Sequence, residues 1–507
     1  MTIFHLDFNH VSMRYDVIHD LLPKIAAMGY TAILWELEAQ VAWETCPECA
    51  TPETWSKDQL RELLAYSRTC GLEPIPLLQT IGHGEYVMSH ATYHPFREHA
   101  DFSDCYCVSN PDVRTFLKRW VAEYLELFGD LRYFHLGGDE AYRFGSCPDC
   151  AARDRLELYG EHIHALAEDL FAAGIRPGVW GDMILAKPDE VGAISKDFLI
   201  WDWNYSDGIE APKSIWLPSS NKRMTPAEVT PELAQQFPGL LGATGSLNTF
   251  HGARFFKNHG YDIVLCSAAR SAIDSHFSPN TVTHAANIAG AELLSREKQL
   301  VGHCVTSWSI RMNPIRAGFP LMALPKAIQA APEAGLDAWR KDVSRHVFGF
   351  EDGMDAADLI SRCDSRLRSY SALQWTGLKD GVPTPKGHLA KRIKQWIAED
   401  EPWWSGRAAM LADMRQTVQK GLALMEPYAP GASAASLWTH IGRLQLEYID
   451  LLEAIFVQNA DLASVAQRLK TFKTNTATFF SSEQAPLSAK ANAGLIVDPL
   501  CDYLAGN

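Results

Sequence analysis

The segment RYFHLGGDEAYRFGSCPDC, residues 132–150, contains the pattern from which the fold of this chain can be predicted. It begins with a short apolar run, YFHL, which is typical of a buried β-strand. The run ends at two glycines and two adjacent acidic residues, Asp139 and Glu140. In α/β barrels, the side chains that do chemistry stand directly after buried parallel strands. The segment therefore predicts a parallel strand with a candidate active site at its carboxyl end.

Seven further runs in the first 320 residues have the same character, and amphipathic stretches with helical periodicity separate them. Eight alternating β-α units predict a (β/α)8 TIM barrel, an α/β fold whose active site lies at the carboxyl ends of the strands. In chain order, the predicted strands cover residues 2–8, 31–38, 73–81, 133–140, 176–183, 198–205, 262–269 and 302–309.

The pattern changes in the last third of the chain, where long segments keep a helical period and contain no strand-like runs. We therefore predict a catalytic TIM barrel over residues 1–328, followed by a C-terminal α-helical domain over residues 329–507. The stretch PGASAAS, residues 430–436, is expected to be a loop within that helical domain.

Composition excludes several classes of function. The chain of 507 residues carries a formal charge of −15, which argues against a nucleic-acid partner, and no apolar run is long enough to span a membrane. The N-terminus, MTIFHLDFNH, is expected to be a strand and not a secretory leader, which favours a cytoplasmic location. In a reducing compartment, most of the eleven cysteines are expected to be buried thiols or metal ligands and not disulfides.

The acidic pair is unusual for a site that cleaves glycosidic bonds. The two carboxylates of a conventional glycosidase flank the scissile bond from opposite sides, about 5–9 Å apart, which neighbouring residues reach with difficulty. Asp139 and Glu140 can instead serve adjacent atoms of one substrate. Gly137 and Gly138 allow a tight turn and a close approach of substrate to the backbone. A merely solvated acidic turn is disfavoured by the position after Gly-Gly at a strand end.

The sequence resembles glycoside hydrolase family 20, the β-N-acetylhexosaminidases, in the hexosaminidase D-like branch that lacks an N-terminal accessory domain. The motif HLGGDE, residues 135–140, is similar to the His-x-Gly-Gly-Asp-Glu signature of that family. The resemblance covers about residues 1–320. Segments similar to the strands of that branch are HLDFNH (5–10), PLLQTIGHGEYVM (76–88), VWGDM (179–183) and TSWSIR (306–311).

This resemblance implies substrate-assisted hydrolysis with retention of configuration, in which the 2-acetamido oxygen of the sugar attacks the anomeric carbon to give an oxazolinium ion. Asp139 would then hold the acetamido N–H and stabilise the developing positive charge. Glu140 would protonate the leaving oxygen and later deprotonate water. No catalytic cofactor is implied. The substrates implied are oligosaccharides or glycoconjugate fragments with terminal, non-reducing, β-linked GlcNAc or GalNAc, and relatives of this kind are often homodimers.

The resemblance also implies a set of sugar-binding residues. His83 would hydrogen-bond toward the catalytic acid, and His135 could orient the acidic loop, although a histidine can equally be a core residue. A box of tryptophans would enclose the sugar, although each tryptophan could belong to the core. The set is Asp7, His83, Trp180, Asp182, Trp201, Trp203, Tyr205, Trp308 and Arg311. Asn9 and the spacing between Trp308 and Arg311 depart from the pattern of the family, so the preference between GlcNAc and GalNAc stays open.

Two Cys-Pro-x-Cys motifs follow the second and fourth predicted strands, Cys46 to Cys49 and Cys147 to Cys150. Together they could supply four thiolates to a structural Zn²⁺, because both loops lie at the same end of the barrel. Such a zinc would be structural, since four thiolates leave no position open for water. A redox pair at each motif, or unrelated thiols and disulfides, are the alternatives. Cys105 and Cys107 could replace one of the two pairs.

Two other functions compete with the glycosidase hypothesis. A zinc-dependent TIM-barrel hydrolase of the amidohydrolase kind would need a His-x-His pair after the first strand, where residues 5–7 read His-Leu-Asp. A non-catalytic sugar-binding protein would usually have lost one of the acids, whereas both are present here.

Overall fold

The computed structural model describes residues 1–271, 273–309, 312–362, 375–379, 382–385, 405–458 and 460–505. Arg311, one of the predicted sugar contacts, lies outside these described residues. The chain divides into two compact units. The first comprises Met1–Phe8, Ile18–Ala268 and Ala286–Thr306, and the second comprises Asn9–Val17, Ala269–Ala285 and Ser307–Asn507.

Eight parallel strands close into a barrel, which confirms the predicted (β/α)8 class and all eight predicted strands. The strands that lie wholly or mainly in the first unit are β1 (Thr2–Asp7), β2 (Ala32–Glu36), β3 (Glu73–Leu77), β4 (Tyr133–His135), β5 (Arg176–Trp180), β6 (Leu199–Trp203), β7 (Ile215–Leu217), β8 (Lys222–Met224), β9 (Asp262–Arg270) and β10 (Gly302–Ser307). Around the barrel, the order is β1-β10-β9-β6-β5-β4-β3-β2, and β7 pairs with β8 in a separate antiparallel hairpin.

Most of the observed strands stop earlier than the apolar runs suggested. The clearest case is β4, which ends at His135 although residues 133–140 were predicted. Gly137 and Gly138 have φ angles of 65° and 90°, in the left-handed region that breaks an extended strand. The acidic pair therefore lies on a loop above the barrel and not on the strand itself.

Helices of the first unit begin at residues suited to that position. The side chain of Asn110 accepts a hydrogen bond from the amide of Asp112, and Asp154 accepts from the amides of Leu156 and Glu157. The helices that lie wholly or mainly in this unit are α1 (Tyr15–Ala27), α2 (Lys57–Thr69), α3 (Glu85–Met88), α4 (Pro111–Phe128), α5 (Pro148–Ala151), α6 (Arg155–Ala172), α7 (Asp182–Leu185), α8 (Pro231–Gln236), α9 (His251–Asn258) and α10 (Thr281–Glu297).

The second unit is mainly helical, which confirms the helical character predicted for the last third of the chain; the boundary after residue 328 stays a prediction. Its core includes Phe277, whose ring contacts Tyr448, Phe472 and Phe480. Its helices are α11 (Phe319–Met322), α12 (Leu324–Ala330), α13 (Leu336–Val347), α14 (Gly353–Ser361), α15 (Arg407–Met425), α16 (Ser433–Phe456), α17 (Leu462–Phe480) and α18 (Pro486–Ala505).

Two local predictions for this region were wrong. Residues 433–436 of the predicted loop already belong to α16, so that only the part around Pro430 and Gly431 is a turn. An antiparallel hairpin, β11 (Trp375–Lys379) with β12 (Val382–Pro385), lies where no strand was predicted. None of the described helices is both long and apolar enough to cross a membrane.

Strand β6 alternates as its sequence suggests. Trp201 packs against Trp180 of the neighbouring strand, whereas the carboxylate of Asp202 contacts Gly252 in the first turn of α9. A Cβ atom at position 252 would overlap that carboxylate. Burial raises the pKa of Asp202 to about 8, although a hydrogen bond from the Ala253 amide acts in the opposite direction.

We predict that Asp202→Asn changes how the stability of the protein depends on pH. Folded Asp202 keeps its proton up to about pH 8, whereas the unfolded side chain loses it above its ordinary pKa of 3.8. Stability from this group is therefore fully present below about pH 4 and is lost as the pH rises toward 8. As the pH rises from 5 to 7, wild type should lose this stability and Asp202→Asn should not. The unfolding free energy of the variant should therefore increase relative to that of wild type by up to about 1.4 kcal/mol per pH unit.

Urea unfolding at several pH values measures this difference. Asp197→Asn is the matched control, because Asp197 is exposed and close in sequence, and its curve should run parallel to wild type. Identical pH slopes for wild type and Asp202→Asn would contradict the prediction.

Candidate active site

The loops after β3 and β4 touch at the candidate site. Gly82 lies so close to the carbonyl oxygen of Asp139 that a Cβ atom at position 82 would overlap it. The next residue, His83, has a φ of 53°, and Glu140 has a φ of 45°. Non-glycine residues in this left-handed region are uncommon and cluster at functional sites. The contact thus brings the two loops together with His83 beside the acidic pair.

His83 contacts both carboxylates. Its Nε2 atom lies 3.3 Å from Oδ2 of Asp139 and 3.6 Å from Oε2 of Glu140. The Asp139 side chain is 6% exposed, whereas that of Glu140 is 39% exposed. One acid is therefore held inside the site, and the other is accessible to solvent. The sequence prediction that His83 lies beside the acids agrees with this geometry.

The charge on His83 follows from its surroundings. Burial on its own lowers the pKa of the imidazole, but the negative charge of Asp139, its hydrogen bond to Asp139, and the charges of Glu85 and Glu140 outweigh burial. The net result is a pKa of His83 well above its ordinary value. At neutral pH the side chain is therefore an imidazolium that lies between two carboxylates.

Asp182 follows β5 and holds the backbone of the acidic loop. Its Oδ2 atom accepts a hydrogen bond of 3.0 Å from the peptide N–H of Glu140. Burial and the nearby charge of Asp139 raise the pKa of Asp182 to about 7, against the effect of that hydrogen bond. The contact fixes the main chain of Glu140 and explains how its left-handed conformation is maintained.

A buried polar cluster supports the turn before the acids. Gln79 donates to Oε1 of Glu36 at 2.9 Å, and His5 contacts Oε2 of the same carboxylate at 2.9 Å. Gln79 also packs against Gly137, where no Cβ atom would fit. Burial raises the pKa of Glu36 to about 7. Sequence reasoning assigned no role to Glu36, His5 or Gln79; the signal for Gln79 was its place in the segment PLLQTIGHGEYVM, residues 76–88.

His135 has the orienting position that one of its two interpretations predicted. Its Nδ1 atom accepts a hydrogen bond of 2.9 Å from the amide of Gly137, and burial lowers the pKa of the ring well below its usual value. The neutral ring packs on Trp180 and Trp201, with centroids 4.4 and 5.0 Å away. Both tryptophans are buried, so they form the floor beneath the acidic loop.

The remaining predicted sugar contacts are distributed around the strand ends. Trp203 stacks on Tyr205 with ring centroids 5.4 Å apart, and both side chains are partly exposed. Asp7 is buried at the carboxyl end of β1, and Trp308 directly follows β10. Sequence reasoning missed Tyr142, whose hydroxyl donates a hydrogen bond of 2.9 Å to Oε1 of Glu140. The only feature of the sequence that pointed to Tyr142 was its position two residues after Glu140.

The predicted grouping of the cysteines needs a correction. Cys46 and Cys49 are bonded to each other in a disulfide and are not joined to the second motif. Cys147 and Cys150 instead lie with Cys107 and with a carboxylate, that of Glu98. The turn at Pro47–Cys49 brings the first two sulfurs together, whereas the long loop after β3 carries Cys107 to the second motif.

Comparison with known proteins identifies the family that this site resembles. Residues 22–215 match the model of the glycosyl hydrolase family 20 catalytic domain, which confirms the resemblance seen in the sequence. Human hexosaminidase D is 26% identical over 240 residues, covering 44% of this chain and 48% of the human protein. Bovine hexosaminidase D is 25% identical over 217 residues, covering 40% of this chain and 63% of the bovine protein. The chain thus matches less than two thirds of the length of either relative.

Solved structures with a similar course of the chain include two enzymes from bacteria. A chitobiase from Flavobacterium johnsoniae has a TM-score of 0.49 at 16% identity, over 97% of this chain and 77% of the chitobiase. An exo-β-N-acetylglucosaminidase from Vibrio harveyi has a TM-score of 0.47 at 14% identity, over 70% of this chain and 58% of the Vibrio enzyme.

We predict that the charge on His83 depends on Asp139. In wild type, His83 should titrate clearly above the ordinary histidine value of about 6.5, because the charges around it outweigh burial. In Asp139→Asn, less negative charge opposes the effect of burial, so the pKa of His83 should fall below its wild-type value. NMR of histidine labelled with ¹³C at Cε1 measures both titrations, and His83→Gln assigns the signal.

Asp58→Asn is the control, because Asp58 is an exposed carboxylate in the first turn of α2. This variant should leave the titration of His83 unchanged. A wild-type His83 that titrates at or below 6.5 would contradict the proposed charge arrangement.

Proposed function

We propose that this chain, whose residues 22–215 match the family 20 catalytic domain, is a glycoside hydrolase that acts as an exo-β-N-acetylhexosaminidase. Its substrates would be oligosaccharides or glycoconjugate fragments that end in β-linked GlcNAc or GalNAc. The observation that carries the proposal is the contact of His83 with both Asp139 and Glu140 at the mouth of the barrel. The similarity to two proteins named hexosaminidase D supports it.

Asp139 would act on the acetamido group of the substrate. In the proposed mechanism, the acetamido oxygen attacks the anomeric carbon, and positive charge develops on the resulting oxazolinium ring. A buried carboxylate beside the acetamido N–H stabilises that charge strongly, because little water competes for it. The imidazolium of His83 balances the charge of Asp139 before substrate binds and orients its Oδ2 atom.

Glu140 would transfer the proton. It protonates the leaving oxygen in the first step and removes a proton from water in the second. Its partial exposure is suited to this exchange, because both the leaving group and water must reach it. Asp182 holds its peptide N–H, and Tyr142 donates to its carboxylate, so both ends of the residue are positioned.

The sugar itself would lie among the aromatic and polar residues at the strand ends. Trp203 and Tyr205 present a partly exposed stacked pair that can pack on a sugar face or on the acetyl methyl. Trp180 and Trp201 would contribute from below, where they are buried. We also propose sugar contacts for Asp7, Asp182, Trp308 and Arg311. The absence of a catalytic cofactor, the cytoplasmic location and the homodimer are further proposals.

Neither competing function gains an observation in its favour. A zinc-dependent barrel hydrolase would need metal ligands at the catalytic acids, and in the described part of the chain the metal-ligating group consists of Glu98 and three cysteines. A sugar-binding protein without activity has no need for two acids held by a charged histidine. Both hypotheses are tested by the same assay.

We predict that wild type hydrolyses 4-nitrophenyl β-GlcNAc or β-GalNAc and that Glu140→Gln and Asp139→Asn do not do so efficiently. Loss of proton transfer should lower kcat by about 10²–10⁴-fold, and loss of charge stabilisation by about 10²–10³-fold. Release of 4-nitrophenolate measures both rates. Glu140→Gln should recover part of its first step with a 2,4-dinitrophenyl leaving group, which needs less protonation, whereas Asp139→Asn should not.

The control is Glu157→Gln, which changes the same side chain at an exposed position of α6 and should keep the wild-type rate. A wild type that hydrolyses neither substrate would exclude the proposed activity. Variants of Asp139 and Glu140 that keep near-full rates would exclude the assignment of these residues.

We further predict a smaller loss for Tyr142→Phe. The hydroxyl of Tyr142 donates to the Glu140 carboxylate at a partly exposed position, so its removal should lower kcat/KM by about 3- to 10-fold. Tyr133→Phe is a matched control, because Tyr133 begins β4, at the opposite end of the barrel from the loop that carries Tyr142. An unchanged kcat/KM in Tyr142→Phe would mean that this hydrogen bond does not act on the proton donor.

A further inference from the structure

Four potential metal ligands meet at the loops that carry the catalytic residues. Glu98 and Cys107 belong to the loop after β3, and Cys147 and Cys150 belong to the loop after β4. Within the loop after β3, the amide of Glu98 donates to the carbonyl of Cys105, and the amide of Cys107 donates to the carbonyl of Phe96. These hydrogen bonds hold two segments of the loop side by side. Cys147 directly precedes α5, and Cys150 lies within it.

All four ligand atoms lie within 4.8 Å of one another, and three of the distances between them match those expected around one tetrahedral ion. The sulfur of Cys107 lies 3.6 Å from that of Cys147 and 3.9 Å from that of Cys150. Oε2 of Glu98 lies 3.6 Å from the sulfur of Cys150. Zinc bonds of about 2.3 Å to sulfur and about 2.1 Å to oxygen place tetrahedral ligands about 3.8 Å apart for S···S and about 3.6 Å for S···O.

The carboxylate of Glu98 is already oriented for this role. Its Oε1 atom accepts hydrogen bonds from the amides of Ser146, at 2.7 Å, and Cys147, at 2.9 Å. Its Oε2 atom is thereby directed at the sulfurs. Glu98 is 3% exposed, and Cys107 and Cys150 are also buried. Three neutral thiols could pack together without any carboxylate, so the presence of Glu98 requires a separate explanation.

That explanation is a positive charge. A buried carboxylate is costly unless a cation compensates it. Within the residues that the structure describes, Glu98 forms no ion pair with a Lys, Arg or His side chain. A divalent ion among the thiolates would supply the missing charge, and soft thiolate ligands in a tetrahedral arrangement favour zinc.

We propose that Glu98, Cys107, Cys147 and Cys150 bind one structural Zn²⁺. The four protein ligands fill the tetrahedral coordination sphere of the ion and leave no position for a reacting water molecule, so the ion takes no part in hydrolysis. It joins the loop that carries His83 to the loop that carries Asp139 and Glu140. The site keeps one Cys-x-x-C motif of the sequence prediction and replaces the other by Cys107 and Glu98. It does not depend on the proposed glycosidase activity.

The test is the zinc content of the full chain, purified with reductant, equilibrated with Zn²⁺, desalted and analysed by elemental mass spectrometry. Wild type should hold one zinc per chain. Cys107→Ser and Cys150→Ser should hold at least about tenfold less. Cys105→Ser is the matched control, since Cys105 is buried two residues from Cys107 and lies outside the group, and it should keep the metal. Cys46→Ser should keep it as well.

A second measurement covers the case in which the cysteine variants do not fold. Wild type loaded with Co²⁺ in place of zinc should show the intense visible bands of a tetrahedral ion with thiolate ligands. A wild type that retains no zinc and shows no such bands overturns the proposal. Equal loss of zinc from Cys46→Ser and Cys107→Ser would also overturn it, because the ligands would then be those of the two sequence motifs.

Discussion

The contact between the loops after β3 and β4 is the constraint on which the candidate site depends. Gly82 lies against the carbonyl of Asp139, and no other residue type fits there without moving one of the loops. The contact places the imidazole of His83 between Asp139 and Glu140. Two non-glycine residues of this small region, His83 and Glu140, hold left-handed backbone conformations, which the surrounding contacts must stabilise.

Charge compensation organises the layer beneath this contact. Asp139 is buried, and its charge is met by an imidazolium. Glu36 and Asp182, whose pKa values are raised to about 7 by burial, instead hold amide donors, namely the side chain of Gln79 and the backbone of Glu140. Burial lowers the pKa of His135, whose ring packs on Trp180, and keeps it neutral. Burial acts in the same direction on His83, and the two histidines differ in charge because only His83 faces carboxylates that outweigh burial.

More of the residues of this site than of the hydrogen bonds between them could be predicted from the sequence. The position of the acids at a strand end follows from a pattern within one segment, and the place of His83 beside them was implied by the family resemblance. Tyr142, Gln79 and the hydrogen bond from the Glu140 amide to Asp182 were missed. Each of these depends on where a loop turns after its strand ends, and neither hydrophobic period nor residue spacing describes that path.

The sequence by itself determined the barrel and the chemical character of its mouth. Eight buried runs separated by helical stretches can close in few other ways, and the His-Leu-Gly-Gly-Asp-Glu segment carries the two candidate catalytic acids in consecutive positions. Only the tertiary structure decided the charge of His83 and the partners of the cysteines. Cys107 and Glu98 reach Cys147 and Cys150 because a long loop folds back over its neighbour. Contacts between two irregular loops are set by their packing in three dimensions, which no local pattern in either loop encodes.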